Sequence, residues 1–331
     1  MSETLIGVII GGLLTLLGTL LSAWIEKQRV NDERIRELQK NLTGEYNRTF
    51  NVLELIRLQK KRFLFWTRRN VNLSGASLAN IVLDGQDLRG ILLSRANLAN
   101  SILANSNLRK ANLIRADLTN AVLYEVQLSE ADLSMAILDE ADLTGAELSQ
   151  ARLRGAKLYK VKLNGANLSH AELNGAVLRN AYLGGANLTG AKLHPADLSQ
   201  SILVVADLTK ADLIGADLSN ADLSGANLIQ AKLAGAKLCG AKLKGANLTG
   251  ADLANTDLTG ATYTESTRWP KDFTPPPEAE FVESAFYHLE DAQLKQNLQN
   301  VEGFDNRHKK ASQNLLDEVN SNTKTTDDTI E

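Results

Sequence analysis

The sequence predicts a mainly β protein whose chain coils with one bend every five residues. Leucine occupies every fifth position from Leu73 to Leu258, 38 times in succession without an insertion. Alanine occupies 28 of the 38 positions two residues before these leucines. Glycine and asparagine are common two residues after them. A fixed short period of this length indicates a repeat architecture in which each unit packs on its neighbours.

The five-residue period excludes an amphipathic helix over this region. At about 100° per residue, a leucine at every fifth position would spread over all sides of a helix. In an extended chain, residues two apart point to the same side, so the Ala and Leu of one unit face one side together. The next leucine would point outward unless the chain turned once per unit. Residues such as Asn120 and Gly145 tolerate turn dihedrals, so we expect Ala and Leu inside and the other three residues outside.

The repeated units resemble those of the pentapeptide-repeat family, which read A-(D/N)-L-x-x. Examples are ADLTG at 141–145 and ANLTG at 246–250. The resemblance implies a right-handed quadrilateral parallel β-helix over residues 71–263, with four units per coil and about 9.5 coils. The complete predicted fold adds an N-terminal transmembrane helix and flanking α-helices.

Residues 1–25 are predicted to form a membrane anchor. No charged residue occurs over the 21 positions from Leu5 to Ile25. At about 1.5 Å per residue, a helix of this length crosses a hydrocarbon core about 30 Å thick. A cleaved signal peptide is the competing interpretation, but it requires a basic segment before the apolar run, where Glu3 is the charged side chain. Basic residues follow the span, so the positive-inside rule predicts a single-pass membrane protein with its N-terminus outside and its C-terminal domain in the cytoplasm.

Small residues gather on one side of this predicted span. They recur at steps of three or four positions: Gly7, Gly11, Thr15, Gly18 and Ser22. Such a face lets two membrane helices approach closely, which favours a homodimer through Gly7, Gly11, Gly18 and Ser22. The general abundance of glycine in membrane helices is the alternative explanation.

Residues 26–70 are predicted to connect the anchor to the β-helix as an amphipathic helix and an N-terminal cap. An apolar stripe from Ile35 to Ile56 recurs mostly at steps of three and four. This apolar face could pair with a second copy of itself as a short coiled coil, or it could pack on the next domain. Basic residues bracket Phe63, Phe65 and Trp66, and this cluster fits a helical cap or contact with an anionic membrane surface.

Residues 20 apart are expected to stack in columns on the outside of the solenoid. One column alternates in sign and predicts a ladder of ion pairs: Asp132, Arg152, Glu172, Lys192, Asp212, Lys232 and Asp252. A second predicts a ladder of amides and carboxylates: Asn107, Gln127, Glu147, Asn167, Asn187, Asp207, Asn227 and Asn247. A third begins Val82, Ile102 and Val122, with Leu92 and Ile137 on neighbouring faces. These apolar residues predict a docking patch for the connecting helix or for another protein.

Residues 264–331 are predicted to form a C-terminal cap, helices and a disordered acidic tail. Trp269 and Phe273 are expected to cover the open end of the last coil. An amphipathic helix is predicted from Glu278 to about Val301 and a second, short helix over 306–319, with a disordered tail after it. This ending resembles those of cyanobacterial members of the family.

The composition offers little material for catalysis. The chain has one cysteine, Cys239, and four histidines, which excludes an internal disulfide framework and a Cys-cluster metal site. No Ser/His/Asp set, phosphate loop or metal motif occurs. We therefore predict that the protein is not an enzyme and has no catalytic, cofactor-binding or metal-binding residues and no cofactor.

Charge separates the two function classes that the resemblance suggests. The net charge is +5 over residues 1–70, −1 over 71–260 and −7 over 261–331, and −3 in total. Soluble quinolone-resistance members of the family are gyrase-binding DNA mimics with a strongly acidic surface, whereas this rod is nearly neutral. We predict a membrane-anchored scaffold that presents a β-helical rod at the cytoplasmic face to an unidentified protein partner and binds no nucleic acid. The DNA mimic is the alternative.

Overall fold

The computed structural model describes residues 52–54 and 71–283. The chain divides into two compact units, Met1–Val71 and Asn72–Glu331. In the first unit residues 52–54 are helical. The other residues of the predicted connecting helix and cap lie outside the described part, and this helix stays a prediction. The predicted membrane span at 5–25 and its small-residue face also lie outside it. Within 52–54 and 71–283, no helix is long and apolar enough to cross a bilayer.

The second unit contains a parallel β-helix with a repeat of 20 residues per coil. Parallel bridges join the residue before each core leucine to the residue 20 positions later, from Asn72 with Leu92 to Lys242 with Thr262. Each coil has four faces, which we name by their outward columns. The first runs from Asn72 to Asp252, the second from Ser77 to Asp257, the third from Val82 to Thr262 and the fourth from Asp87 to Asn247. The prediction of four units per coil is confirmed.

Leucine and alanine fill the inside of the solenoid, as predicted. Every repeat leucine from Leu73 to Leu258 is buried, and Leu168 in the middle has no exposed surface. Burying each leucine contributes about 1.5–3 kcal/mol. The backbone N–H of Leu168 donates to the carbonyl of Asn187 in the next coil at 2.7 Å, and the other coils repeat this bond. Since these bonds join adjacent coils, stability accumulates from neighbour to neighbour along the axis.

Each unit ends in a tight turn, which confirms the predicted bend. From 75 to 260, every fifth residue except Pro195 has φ between 51° and 71°. The leucine carbonyl of such a turn accepts a bond from the residue three positions later, as from Ala216 to Leu213 at 3.0 Å. A positive φ at the second central residue alone defines a type II turn.

Pro195 interrupts this series of turns. Its ring fixes φ near −65° and removes the backbone N–H. Position 195 therefore cannot donate to the carbonyl of Ile214 as the equivalent residue of other coils does. The Nδ1 atom of His194 contacts the Ile214 carbonyl oxygen instead, so His194 replaces the missing backbone donor.

The regular register ends after Thr262. Asn247 pairs with Arg268, which places one extra residue in the last turn. Strand β1, Thr262–Tyr263, pairs in parallel with strand β2, Glu280–Phe281. The helix predicted from Glu278 is therefore wrong at its start, because these residues supply backbone bonds to the open edge of the third face. The remainder of that predicted helix lies outside the described residues.

Aromatic rings close the C-terminal end of the solenoid. Tyr263 packs edge-to-face on Trp269 and Phe281, with ring centroids 5.4 and 5.6 Å apart. Trp269 stacks on Phe273 at 5.3 Å. Leu258 in the last coil remains buried. The cap predicted from Trp269 and Phe273 thus forms, with Tyr263 and Phe281 as additional members.

One buried hydroxyl group in the core lacks a partner. The Oγ atom of Ser101 is buried and has no hydrogen-bond partner within the described residues. The hydroxyl of Ser106, in the next unit, donates to the carbonyl of Leu103 at 2.5 Å. An unsatisfied buried polar atom costs about 1–3 kcal/mol.

We expect Ser101→Ala to raise the free energy of unfolding by about 1 kcal/mol, because alanine removes the unpaired hydroxyl. Ser106→Ala is the matched control, and we expect it to lower stability by about 0.5–1.5 kcal/mol because it removes a made bond. Denaturant unfolding of both variants measures the two effects. Equal destabilisation by both substitutions would contradict the assignment.

Candidate interaction surface

Charges on the outside of the β-helix are arranged in bands, one coil at a time. The coil 131–150 carries five acidic and no basic residues, and the coil 151–170 carries five basic and no acidic ones. The pattern recurs as three acidic residues in 211–230 followed by four basic ones in 231–250. Stacked columns place each band against its opposite. Adjacent bands therefore neutralise each other over short distances.

The predicted alternating column on the first face stacks through parallel backbone β-bridges from Asp132 to Asp252. Among the described residues, two of the six steps of the predicted ion-pair ladder have a salt bridge. Arg152 pairs with Asp132 at 3.2 Å, and Lys192 pairs with Glu172 at 3.1 Å. Lys192 lowers the pKa of the Glu172 carboxyl, with Arg154 contributing, against an opposing effect of partial burial. These partly exposed pairs contribute about 0–1 kcal/mol each.

The side chains of the amide and carboxylate column on the fourth face do not form the predicted ladder of hydrogen bonds between coils. One inter-coil bond within the described part of this column joins the Nδ2 atom of Asn167 to Glu147 at 2.9 Å. Most of the column's side-chain oxygens instead accept the backbone N–H two residues on, as Asn187 does from Thr189 at 3.0 Å. This is an Asx turn, which satisfies a donor at the start of each bend. It explains why Asp or Asn so often precedes the leucine, since the same bond recurs on the other faces.

The apolar patch predicted at the start of the third face is present. Val82, Ile102 and Val122 stack through parallel bridges, and each is partly exposed. Leu92 and Ile137 are partly exposed on the first and second faces. The expected stacking is confirmed, and the occupant of the patch stays a prediction.

A second apolar cluster occupies the middle of the third face. Tyr182 is 41% exposed and stacks on Ile202 of the next coil. Val205, in the turn that follows Ile202, is 53% exposed. Sequence reasoning missed this cluster because a valine at a turn position carries no signal of its own. The 20-residue columns contained the signal, since Tyr182 and Ile202 continue the column that starts at Val82.

Val205 also has an unusual backbone. Its φ is 51°, a left-handed value that β-branched residues rarely adopt. Its column neighbours Gly165, Gly185 and Gly225 have the same conformation at no steric cost. Residues with a strained backbone concentrate at functional sites. The backbone of Val205 therefore indicates that this part of the third face is a candidate functional surface.

The thiol of Cys239 lies on the second face beside a carboxylate. Its Sγ donates to Oδ2 of Asp257 at 2.9 Å. The hydrogen bond to Asp257, partial burial and the charge of Asp257 together raise the pKa of the Cys239 thiol. The same thiol, with the hydroxyl and backbone of Thr259, lowers the pKa of Asp257 to about 2. The thiol is therefore mostly protonated at neutral pH, and the reactive thiolate is scarce.

We expect Asp257→Asn to increase the alkylation rate of Cys239 at pH 8 severalfold. The amide retains an oxygen for the Thr259 bonds but removes the negative charge that favours the protonated thiol. Iodoacetamide labelling followed by mass spectrometry measures the rate, and Cys239→Ser is the blank. An unchanged or lower rate would contradict the proposed charge effect.

No group of three or more His, Cys, Asp and Glu side chains that could hold a metal ion occurs among residues 52–54 and 71–283. His170 and His194 lie in turns on different faces. The predicted lack of catalytic, cofactor and metal residues stays a prediction.

These faces define a class of protein, a parallel β-helical solenoid with a leucine and alanine core and short bands of surface charge. The family profile described as pentapeptide repeats matches the chain in 8 copies, over residues 92–126, 121–158, 156–194, 193–230 and 226–262. The matches span more than half of the sequence, and the chain belongs to the pentapeptide-repeat family. Membership implies a right-handed β-helix and a generally non-enzymatic structural or interaction role.

Several solved structures are similar to this chain. HetL, a pentapeptide repeat protein involved in heterocyst differentiation regulation from the cyanobacterium Nostoc sp. strain PCC 7120, is 38% identical, with 64% of this chain and 95% of HetL covered and a TM-score of 0.32. Rfr23 from the cyanobacterium Cyanothece 51142 is 38% identical, with 31% and 63% covered and a TM-score of 0.23. QnrB1, a plasmid-mediated fluoroquinolone resistance protein, is 15% identical, with 56% and 94% covered and a TM-score of 0.42. Comparison with curated proteins gives no match.

Proposed function

We propose that this protein is a non-enzymatic, membrane-anchored scaffold that presents its β-helix at the cytoplasmic face for binding to another protein. The observation that carries the proposal is the partly exposed aliphatic column Val82, Ile102 and Val122 on the third face. A contiguous apolar patch on a soluble surface is typical of a protein interaction site. The backbone hydrogen bonds of successive coils hold these side chains at fixed spacing.

The membrane part of the proposal is based on the sequence. The uncharged run from Leu5 to Ile25 is long enough to span a bilayer. The basic residues after it favour a cytoplasmic location of the β-helix.

The alternative function, DNA mimicry toward gyrase, is less well supported. A mimic of this kind requires a continuous acidic surface. In this β-helix every strongly acidic band is followed by a basic one, as Asp132 is by Arg152 and Asp142 by Lys162. Addition of the purified protein to a gyrase supercoiling reaction distinguishes the two, because a scaffold leaves the reaction unchanged and a mimic inhibits it.

Site-specific photocrosslinking in native membranes tests the scaffold. A photoreactive phenylalanine analogue in place of Ile102 is expected to capture a defined protein. The same analogue in place of Asn107, on the fourth face of the same coil, serves as the control. Ile102→Asp in a chain labelled at Val82 is expected to abolish the capture. Equal crosslinking from positions 102 and 107 would contradict the assignment of the docking patch. Recovery of the protein in the soluble fraction without detergent would contradict the membrane anchor.

A further inference from the structure

We propose that the middle of the third face binds the same face of a second copy of this chain, with the two β-helices antiparallel. This surface is distinct from the docking patch of the scaffold proposal and from the predicted membrane helix. The proposal depends on the described residues of the third face alone, so it does not require a membrane anchor or a different partner protein.

The side chains along this face form a self-complementary series. In successive coils the column consists of Asp142, Lys162, Tyr182, Ile202, Asp222 and Lys242. The two apolar residues lie at the centre and one acidic and one basic residue lie on each side. A contact between two copies of one surface requires this arrangement, because residue i meets residue j and residue j meets residue i.

A two-fold axis between Tyr182 and Ile202, perpendicular to the solenoid axis, matches every member of the series. Tyr182 then lies opposite Ile202 of the partner subunit. Lys162 lies opposite Asp222 of the partner subunit, and Asp142 lies opposite Lys242 of the partner subunit. The centre of the contact is apolar and its ends are charged, as in protein interfaces generally.

The charge order also selects the antiparallel orientation. In a parallel pair, each residue would face its own copy, so Asp142, Lys162 and Asp222 would each meet a like charge. Like charges directly opposite are unfavourable. Within one chain these charges already form pairs, Lys162 with Asp142 at 3.4 Å and Lys242 with Asp222 at 4.0 Å. In the antiparallel contact, the Asp142–Lys162 pair of one copy faces the Asp222–Lys242 pair of the other, and each charge lies opposite a charge of the other sign.

The shape of the neighbouring turn column fits the same axis. Val205 projects from a column in which Gly165, Gly185 and Gly225 leave the surface flat. A Cβ atom built at Gly185 meets no atom within 4 Å, so the space above this residue is open. The axis that pairs Tyr182 with Ile202 places Val205 opposite Gly185 of the partner subunit. The contact explains why a strained valine occupies a position that suits glycine.

The size of the contact predicts a weak dimer. Six coils at about 4.8 Å each give a length of about 29 Å, and three extended residues give a width of about 10 Å. The contact is then roughly 300 Å² per copy, below the ~800 Å² per partner of a standard stable interface. Association is therefore expected in the upper micromolar range rather than the nanomolar range.

A charge-exchange cycle on the full-length chain tests the contact. Sedimentation equilibrium in detergent solution, over roughly 10–500 µM protein, measures the association constant of the wild type, Lys162→Glu, Asp222→Lys and the double variant. Positions 162 and 222 are three coils apart, about 14 Å, and cannot pair within one chain. Rescue in the double variant therefore reports a contact between chains. Lys192→Glu and Asp252→Lys, separated by the same three coils on the first face, provide the matched control.

We expect each single substitution on the third face to weaken association about five- to tenfold, because two-fold symmetry counts each change twice. The double variant is expected to return to within about twofold of the wild type, and the first-face variants are expected to have no effect. A wild type that stays monomeric over the whole range would overturn the proposal. So would a double variant weaker than both singles, or a first-face effect of the same size.

Val205→Gly gives a second, independent measurement. It relieves the left-handed backbone strain, so the thermal midpoint of the chain is expected to rise. It also removes the side chain that meets Gly185 of the partner subunit, so association is expected to fall at least threefold. A variant that is more stable and associates as well as the wild type would overturn the assignment of Val205 to the contact. A wild-type chain that does not dimerise but still crosslinks from position 102 would overturn this inference alone and leave the scaffold proposal standing.

Discussion

Leu168→Lys is expected to unfold the central coils of the β-helix. Leu168 has no exposed surface and lies among the leucines and alanines of the coils on either side. The substitution loses about 1.5–3 kcal/mol of apolar burial and places an ammonium group where no carboxylate lies inside the solenoid. An unpaired buried charge costs several kcal/mol more. Because coils bond only to their neighbours, we expect the damage to be centred on the coils around Leu168.

Thermal unfolding by far-UV circular dichroism and limited proteolysis measure this effect. The matched control is Asn167→Lys, one residue earlier, where the side chain points outward beside Glu147. This control removes the Asx bond that the Asn167 oxygen accepts from the backbone N–H of Ser169 at 3.1 Å. It is expected to cost about 0.5–1.5 kcal/mol, well below the loss expected at Leu168. If both lysine variants melted like the wild type, the register of the core would be wrong. If both unfolded, position 167 would not be on the surface.

The contrast between Leu168 and Asn167 shows why most of this fold could be predicted from the sequence. The pattern is local: each unit has a small residue, a polar residue and a leucine, followed by a turn. The side chains that point inside can therefore be predicted from each unit by itself. The extended backbone then dictates the alternation of directions. The number of units per coil is not local. The family resemblance implies four units per coil, and the bridges between residues 20 apart confirm this number.

The C-terminal end could not be predicted in the same way. The extra residue between Tyr263 and Arg268 has no counterpart in the 38 leucine units. The strand Glu280–Phe281 forms because Thr262–Tyr263 leaves an unpaired backbone edge. The spacing of Val282, Phe286 and Leu289 predicts a helix, yet its first residues, Glu280–Phe281, pair with the open edge of the last coil. A tertiary requirement there overrides the local pattern.

The candidate surfaces were predictable only after residues were arranged by coil. Val82, Ile102 and Val122 form a visible column because three similar residues follow one another. Val205 escapes prediction because its importance depends on the glycines at 185 and 225, which lie 20 residues away in the sequence and one coil away in space. The sequence predicts a ladder on the fourth face where the structure has Asx turns. The presence of an Asn side chain does not reveal from which N–H its oxygen accepts a hydrogen bond.

The charge bands link adjacent coils at the surface of the solenoid. Chain connectivity places each coil on the one before it, so the acidic bands at 131–150 and 211–230 stack on the basic bands that follow them. The ion pairs that join Asp142 to Lys162 and Asp222 to Lys242 are individually weak. On the third face the same charges recur in the order that a second copy can match.

Lys232→Pro is expected to destabilise the β-helix by at least 1–3 kcal/mol. The backbone N–H of Lys232 donates to the carbonyl of Ala211 in the preceding coil at 2.9 Å. Proline removes this donor and leaves the Ala211 carbonyl without its partner in the wall of the solenoid. Lys232 is bridged to Asp212 on one side and Asp252 on the other, so it is central in its sheet, where proline is not tolerated. Denaturant unfolding of the purified variant measures the loss.

Ala234→Pro, two residues later in the same unit, is the matched control and is expected to have the opposite sign. Position 234 is the first central residue of a type II turn whose second is Gly235, with φ at 66°. Proline is favoured at that place because its ring fixes the required φ. The substitution restricts the unfolded chain and is expected to raise stability by about 0.4–1 kcal/mol. Pro195 lies one position later in its own turn and displaces the regular bond, which shows how sensitive the bend is to where proline falls. Equal destabilisation by Lys232→Pro and Ala234→Pro would contradict the type II assignment, whereas opposite signs would establish it for the turn between Leu233 and Ala236.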